Sequence, residues 1–428
     1  MTTVTQWTIA PPEPDLTPEE LVRRARELRP QLLAEQAATD ERGTYSPEMH
    51  EKFRDAGFYR IFVPRRFGGY EFDMTTYVRV IMEIARGCPG SAWCLALASA
   101  HAVQLSSWFS ESAQIEALSP TGEFGSPTRG IPRGTAERVD GGWRIEGTWD
   151  YCSGSPYSTH AMLWARVIDS AAPADAAPEI RLALVPRSGW TMLDDWRGRA
   201  FGMRGSGSNS IRVDGAVVPD HFVIADPFPF SPEAETPGYL LHGNPLYTVK
   251  PALMLPLEIT AVLIGCARAA LDEYERILTK KKAPDNVHAG QASGLAEEGA
   301  GKAPATLNLN RDYQRWFGLA SGRVAAAERL LLDLSARMTQ ICEEATRDGK
   351  GYSWPDIVEF GLMRQQTLNL GWEAVELMFR TSGTSQGGNR ESRMSRYYRD
   401  YSMGRTNVMV DEEKFSEIFA QSYFAERA

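Results

Sequence analysis

Apolar residues near the start of the chain recur at helical spacing. Leu21, Ala25, Leu28 and Leu32 fall on one face. Thr17-Pro18-Glu19-Glu20 opens that run with a capping hydroxyl, a proline at the first helical position and acids in the first turn. Ser46-Pro47-Glu48 repeats the signal ahead of Phe53, and Gly57 and the segment from Pro64 to Gly69 break it. A further helix is expected after Phe72-Asp73, and a long one over Ser91 to Phe109.

The pattern then changes. Thr135–Val139 and Trp143–Gly147 flank Asp140-Gly141-Gly142, which signals a hairpin. His160–Ile168 and Ile180–Pro186 read as strands around a loop rich in Ala and Pro. Ser210–Val213 reads as a strand ended by a turn at Asp214-Gly215. No long helical pattern interrupts this stretch, so an antiparallel β domain is expected. Helical spacing returns in Ala252–Leu278, Arg311–Cys342, Trp354–Arg380 and Glu412–Phe424, and four long helices suggest a bundle. Between Lys280 and Thr306 the chain is rich in Gly, Ala, Lys and Glu without periodicity, and reads as a mobile loop or lid, or a disordered insertion. The expected class is α+β: a helical domain over 1–120, a β-sandwich or barrel over 121–235 and a helical bundle over 236–428.

Composition narrows the function classes. With 43% hydrophobic and 24% charged residues in 428, the chain can bury a large core without staples. The net charge of −9 and the lack of an arginine stripe with interleaved aromatics argue against nucleic acid. Cys88, Cys94, Cys152, Cys266 and Cys342 are scattered, odd in number and without CxxC spacing. That favours a reducing cytoplasm over a disulfide framework or a metal site. No basic region followed by an apolar run opens the chain, so no signal peptide is expected. The apolar stretch from Ala252 to Leu271 carries Pro256, Glu258 and Arg268, and reads as a buried helix rather than a membrane span.

The run from Gly142 through Trp143, Thr148, Trp149, Tyr151, Cys152, Ser153 and Gly154 resembles the flavin-contacting strand of the acyl-CoA dehydrogenase superfamily. It is most similar to the flavin-dependent monooxygenases built on that fold, the oxygenase halves of two-component systems. Gly202-Met203-Arg204-Gly205-Ser206-Gly207-Ser208-Asn209, the segment from Asp214 to Pro219, and Arg399-Asp400 resemble further family segments in the same order. The resemblance spans Leu21 to Phe415. It implies the acyl-CoA dehydrogenase-like fold, a homotetramer, and a flavin near a subunit interface. No GxGxxG follows a strand, so a separate NAD(P)H:flavin reductase is expected to deliver reduced FMN or FAD, with O2 as the second substrate.

The expected chemistry is hydroxylation of a small aromatic, polyketide-like or amine metabolite through a C4a-hydroperoxyflavin. That adduct needs water excluded and a hydroxyl near flavin N5. Ser153 stands where the family places a Ser or Thr; the bland reading is a serine closing the turn with Gly154. The resemblance also implies flavin contacts at Phe124, Gly125, Ser126 and Tyr151. His101 lies in a helix whose family counterpart often carries an active-site histidine, and histidine is a natural base at neutral pH. His160 is a weaker candidate. Many relatives carry a histidine eight residues after the Arg-Asp pair; here Asn407 stands there, and an amide binds but cannot act as a base.

The alternative is an acyl-CoA dehydrogenase or oxidase. Thr406-Asn407-Val408-Met409 lacks the catalytic glutamate of the common type, which leaves Glu258 as a possible base; the bland reading of Glu258 is a solvent-facing or paired helix residue. Gln314-Arg315-Trp316-Phe317-Gly318 approximates the motif that reaches the cofactor phosphate, with Arg315 one place late beside Phe317. Gly383 and Gly387 are further candidates for a flavin phosphate, through backbone donors.

Overall fold

Thr17 caps the first helix, α1 (Pro18–Arg42), by accepting from the Glu20 N–H at 3.2 Å. Ser46 caps α2 (Pro47–Asp55) and Asp73 caps α3 (Met74–Gly87) in the same way. These ends lie where the sequence placed them. The computed structural model describes residues 8–169, 173, 177–282, 306–347, 349, 351–407 and 412–425.

The long helix expected over Ser91 to Phe109 is two helices, α4 (Pro89–Ser99) and α5 (Ala102–Trp108), and α6 (Glu111–Leu118) follows. His101 sits at the break with φ −68° and ψ −4°. The cause is competition for the carbonyls of α4. The Ser99 hydroxyl donates to Leu95 O at 2.8 Å, the Tyr77 hydroxyl to Ala96 O at 3.0 Å, and the Ser126 N–H to Ala98 O at 3.0 Å.

The strands are β1 (Thr128–Val139), β2 (Gly142–Cys152), β3 (His160–Ile168), β4 (Ile180–Pro186), β5 (Thr191–Met192), β6 (Asn209–Val218) and β7 (Val223–Ala225). They form one sheet in the order β5-β6-β2-β1-β3-β4-β7. The β1–β2 hairpin closes with Val139 opposite Gly142, as the Asp140-Gly141 signal requires. The sheet is antiparallel except between β1 and β3, which pair in parallel. After β2, the chain returns across 153–159 to the free edge of β1, because β6 holds the other edge of β2. The turn expected at Asp214-Gly215 is instead a bulge inside β6. The register shifts there against β2, and Gly215 takes φ 72°.

The remaining helices are α7 (Pro237–His242), α8 (Pro251–Lys280), α9 (Arg311–Arg347), α10 (Trp354–Thr381), α11 (Thr384–Gly387), α12 (Arg393–Gly404) and α13 (Glu412–Ala425). The bundle is α8, α9, α10 and α12, whereas α13 packs on the outside against α10. The fourth bundle helix is therefore α12 and not the Glu412–Phe424 segment. The inward face of α12 carries the buried charges Arg396 and Asp400, which hide it from an apolar pattern. Among the described residues, α8 is long and apolar enough to cross a membrane, but 89% of its most apolar window is buried in the protein. The loop expected between Lys280 and Thr306 lies, apart from its ends, outside the described residues.

Candidate active site

A cavity of about 610 Å³ lies between the start of β1 and the end of β2, the α4–α5 break, the start of α8 and the end of α12. Ser153, Tyr151, His101, Glu258 and Asn407 line it together.

One wall is a row of hydroxyls. Trp93 Nε1 donates to Ser153 Oγ at 3.1 Å, Ser153 Oγ lies 2.6 Å from Ser208 Oγ, and Ser208 Oγ lies 2.6 Å from Ser206 Oγ. Three hydroxyls carry three protons, and the two bonds between them use two. One proton is left to donate into the cavity. Gly154 makes this row possible. At φ 85°, a Cβ there would lie 2.9 Å from Ala98 Cβ, Ala98 N and Cys94 O. The missing side chain lets the end of β2 press onto α4, which brings Ser153 to Trp93.

Two non-glycine residues with left-handed backbone flank the row. Tyr151, at φ 55°, sits in a second bulge, where the register slips between Trp149 and Cys152. The bulge turns its ring out of the sheet, under the Arg129 guanidinium at 5.6 Å and edge-on to Trp196 at 6.0 Å. Met203, at φ 50°, donates its N–H to Asp400 Oδ1 at 2.6 Å. Gly202 packs directly on α12, where an added Cβ would lie 2.2 Å from Arg399 O. Outliers of this kind cost on the order of 1–3 kcal/mol each and persist where the surroundings enforce them.

The cavity is also lined by ionisable groups. His101 and Glu258 are buried, at 0% and 1% exposure, with Nε2 and Oε1 3.5 Å apart. His101 Nδ1 lies 2.6 Å from Ser126 O and 2.9 Å from Thr128 Oγ1. His101 Nε2 and Glu258 Oε2 have no hydrogen-bond partner among the described residues. Burial raises Glu258 above the usual carboxylate range, and His101 opposes the shift. The sequence offers His101 as a site candidate and Glu258 only as a possible base for the acyl-CoA alternative, because no spacing shows that α8 faces the α4–α5 break. Ser206 and Ser208 were noticed only as part of a Gly- and Ser-rich segment.

The other expected contacts lie elsewhere. Phe124 stacks on His160 at 5.4 Å, and burial holds His160 near a pKa of about 4, so that histidine is a neutral structural residue. Ser126 contributes its carbonyl to His101, while its hydroxyl donates to Pro127 O. Arg315 is exposed and paired with Asp312, and Phe317 packs on the core from the same helix. Gly383 precedes α11 near Lys281, and Gly387 is its last residue, near Phe379. None of these six residues (Phe124, Ser126, Arg315, Phe317, Gly383 and Gly387) lines the cavity. Among the described residues, no group of His, Cys, Asp and Glu is arranged to hold a metal.

Residues 17–121 match the family model for the N-terminal domain of acyl-CoA dehydrogenase, and residues 257–412 match the C-terminal domain. The chain belongs to the acyl-CoA dehydrogenase superfamily. A pigment production hydroxylase of a Rhodococcus species is 28% identical over 94% of this chain and 96% of its own length. The oxygenase subunit HsaA, a flavin-dependent monooxygenase of Rhodococcus jostii, is 23% identical over 94% of this chain and 98% of its own. The crystal structure of the HsaA monooxygenase from M. tuberculosis has the same fold, with a TM-score of 0.81 at 20% identity over 96% of this chain and 98% of that one. Both of these relatives are named for oxygen-inserting activity, one a hydroxylase and the other a flavin-dependent monooxygenase.

The cavity suits the flavin of this superfamily. Its volume is that of a cofactor site, and its aromatic walls match a flat ring system. The spare proton of the serine row suits a ring edge that carries nitrogen and oxygen acceptors. Ser153, Ser206 and Ser208 are the residues that would hold that edge.

Proposed function

We propose that this protein is the oxygenase component of a two-component system and hydroxylates a small aromatic compound that carries a phenolic hydroxyl. In this reading, a separate NAD(P)H:flavin reductase supplies reduced FMN or FAD. The assembly is a homotetramer in a reducing cytoplasm, consistent with the five buried, unpaired thiols. One observation carries the reading: a hydroxyl row with a spare proton and an ionisable pair line a single cavity.

When bound, reduced flavin would supply the electrons that activate O2. The protein supplies the rest. Ser153, Ser206 and Ser208 orient the polar ring edge and keep a proton donor there. Leu97, Leu255 and Ile259 keep water from the reacting centre. Arg129 and Tyr151 form the polar rim. His101 and Glu258 face the remaining space, where a substrate hydroxyl would sit. Asn407 lines the same cavity and offers an amide for orientation.

Stopped-flow absorbance tests this. Protein carrying photoreduced FMN or FAD is mixed with oxygenated buffer. A long-lived near-UV species before oxidised flavin appears is expected, as is faster loss of that species when phenol is added. Immediate reoxidation with no intermediate, together with flavin reduction by an acyl-CoA, would transfer the assignment to acyl-CoA oxidation.

A further inference from the structure

The flavin-binding wall leaves the His101–Glu258 pair unexplained. A carbonyl oxygen only accepts, so the 2.6 Å contact with Ser126 O puts a hydrogen on His101 Nδ1. In the neutral ring, Nε2 then presents a lone pair, and it faces Glu258 Oε1 at 3.5 Å. Two acceptors do not stay opposed in a buried site without a proton between them. The pair therefore rests with one proton, held on Nε2 or on Oε1. Glu258 Oε2 is left buried and unpartnered among the described residues, on a side chain that lines the cavity.

We infer that His101 and Glu258 act as one acid–base pair that takes the proton of a phenolic hydroxyl, with Glu258 Oε2 as the receiving atom. This rests on the hydroxylase reading above. The substrate O–H bond breaks, its electron pair stays on the substrate oxygen, and an Oε2–H bond forms. The pair passes from one proton to two. The ring positions ortho and para to the ionised oxygen become electron-rich, as attack on an activated oxygen requires. The pair supplies the base that Asn407, as an amide, does not.

The surrounding groups are otherwise engaged. Tyr77 of α3 gives its hydroxyl proton to Ala96 O, and burial raises its pKa well above the usual value. Arg129 is paired with Asp150 at 3.1 Å. Asp226 accepts from Trp164 Nε1 at 2.8 Å and from the Phe228 N–H at 3.0 Å. Burial of Glu258 makes it a stronger base than a solvated carboxylate.

The test uses full-length wild type, Glu258→Gln and Glu258→Asp with reduced flavin and a series of phenols of graded acidity. Wild type is expected to hydroxylate them at rates that depend little on phenol acidity. Glu258→Gln should lower the rate by about 10²–10⁴-fold and make it rise with pH as the phenol ionises by itself. Glu258→Asp should recover part of the loss. A Glu258→Gln rate with the wild-type pH profile overturns the inference.

A second readout needs no flavin. The acid-minus-alkaline infrared difference spectrum of the flavin-free protein should contain the carbonyl band of a buried carboxylic acid. That band should vanish in Glu258→Gln, shift in His101→Asn and persist in Asp400→Asn. Its survival in Glu258→Gln overturns the pair. A wild type that hydroxylates no phenol, with the band lost as expected, overturns the hydroxylase reading and leaves the acid–base pair standing.

Discussion

The Met203 backbone N–H donates to Asp400 Oδ1 at 2.6 Å, and this bond ties the sheet side of the cavity to the bundle. Asp400 is buried, and its pKa is pushed up to about 7, first by burial and then by the charge of Asp40. The folded state therefore holds this proton more tightly than the unfolded chain does. The stability it contributes is complete at acid pH, below the ordinary carboxylate value, and fades as pH rises through about 7. Asp400→Asn keeps an acceptor oxygen but cannot ionise. Relative to wild type, it should gain stability on going from about pH 5 to about pH 8, by more than about 1 kcal/mol in urea unfolding. Parallel pH profiles for the two proteins would remove Asp400 from this role.

Ser153 anchors the hydroxyl row. Ser153→Ala breaks the bond to Ser208 and leaves Trp93 Nε1 without its acceptor. Peroxide release per flavin oxidised should rise, and product yield should fall, by about tenfold, the equivalent of one hydrogen bond of about 1.4 kcal/mol. Peroxide is measured by oxygen return on adding catalase. Unchanged leakage would mean that Ser206 or Ser208 donates the spare proton instead.

Gly154 tests the packing that delivers Ser153. Gly154→Ala places a Cβ against Ala98 and Cys94 in a left-handed backbone. Strain of about 1–2 kcal/mol and overpacking of about 1–3 kcal/mol should both lower the melting temperature. Ala98→Gly in the same chain should recover part of the loss, because it removes one of the three close contacts.

Arg364 lies in α10 at 1% exposure, over the Phe415 ring at 5.1 Å. Neither terminal nitrogen has a hydrogen-bond partner among the described residues, and burial lowers its pKa to about 10. An unpaired buried charge opposes folding, so Arg364→Met, of similar length, should stabilise the protein by about 1 kcal/mol or more. Destabilisation instead would show that an anion meets this guanidinium in solution.

Local signals were legible in the sequence. Thr17, Ser46 and Asp73 act through the three residues that follow them, and Asp140-Gly141 acts through its immediate neighbours. What escaped notice depends on distant partners. The break before His101 arises because Tyr77 and Ser126 claim carbonyls of α4, while the apolar pattern continues across it. Helix α12 was hidden because Arg396 and Asp40 bury their charges together. The parallel β1–β3 pairing follows from which strand edge remained open. The family resemblance found Ser153, Tyr151, His101 and Asn407. It gave no access to the Glu258 contact, which the fold alone creates.

Tyr151 and Met203 line the cavity from left-handed backbone, whereas Leu97, Leu255 and Ile259 line it from helices. The two groups differ in their tolerance of change. A substitution in the strained group disturbs backbone that only its neighbours keep in place. A substitution in the helical group exchanges one side-chain volume for another. Substitutions at the helical positions thus reshape the cavity with less disturbance of its backbone than substitutions at the strained ones. A mutant library aimed at new substrates belongs at positions 97, 255 and 259.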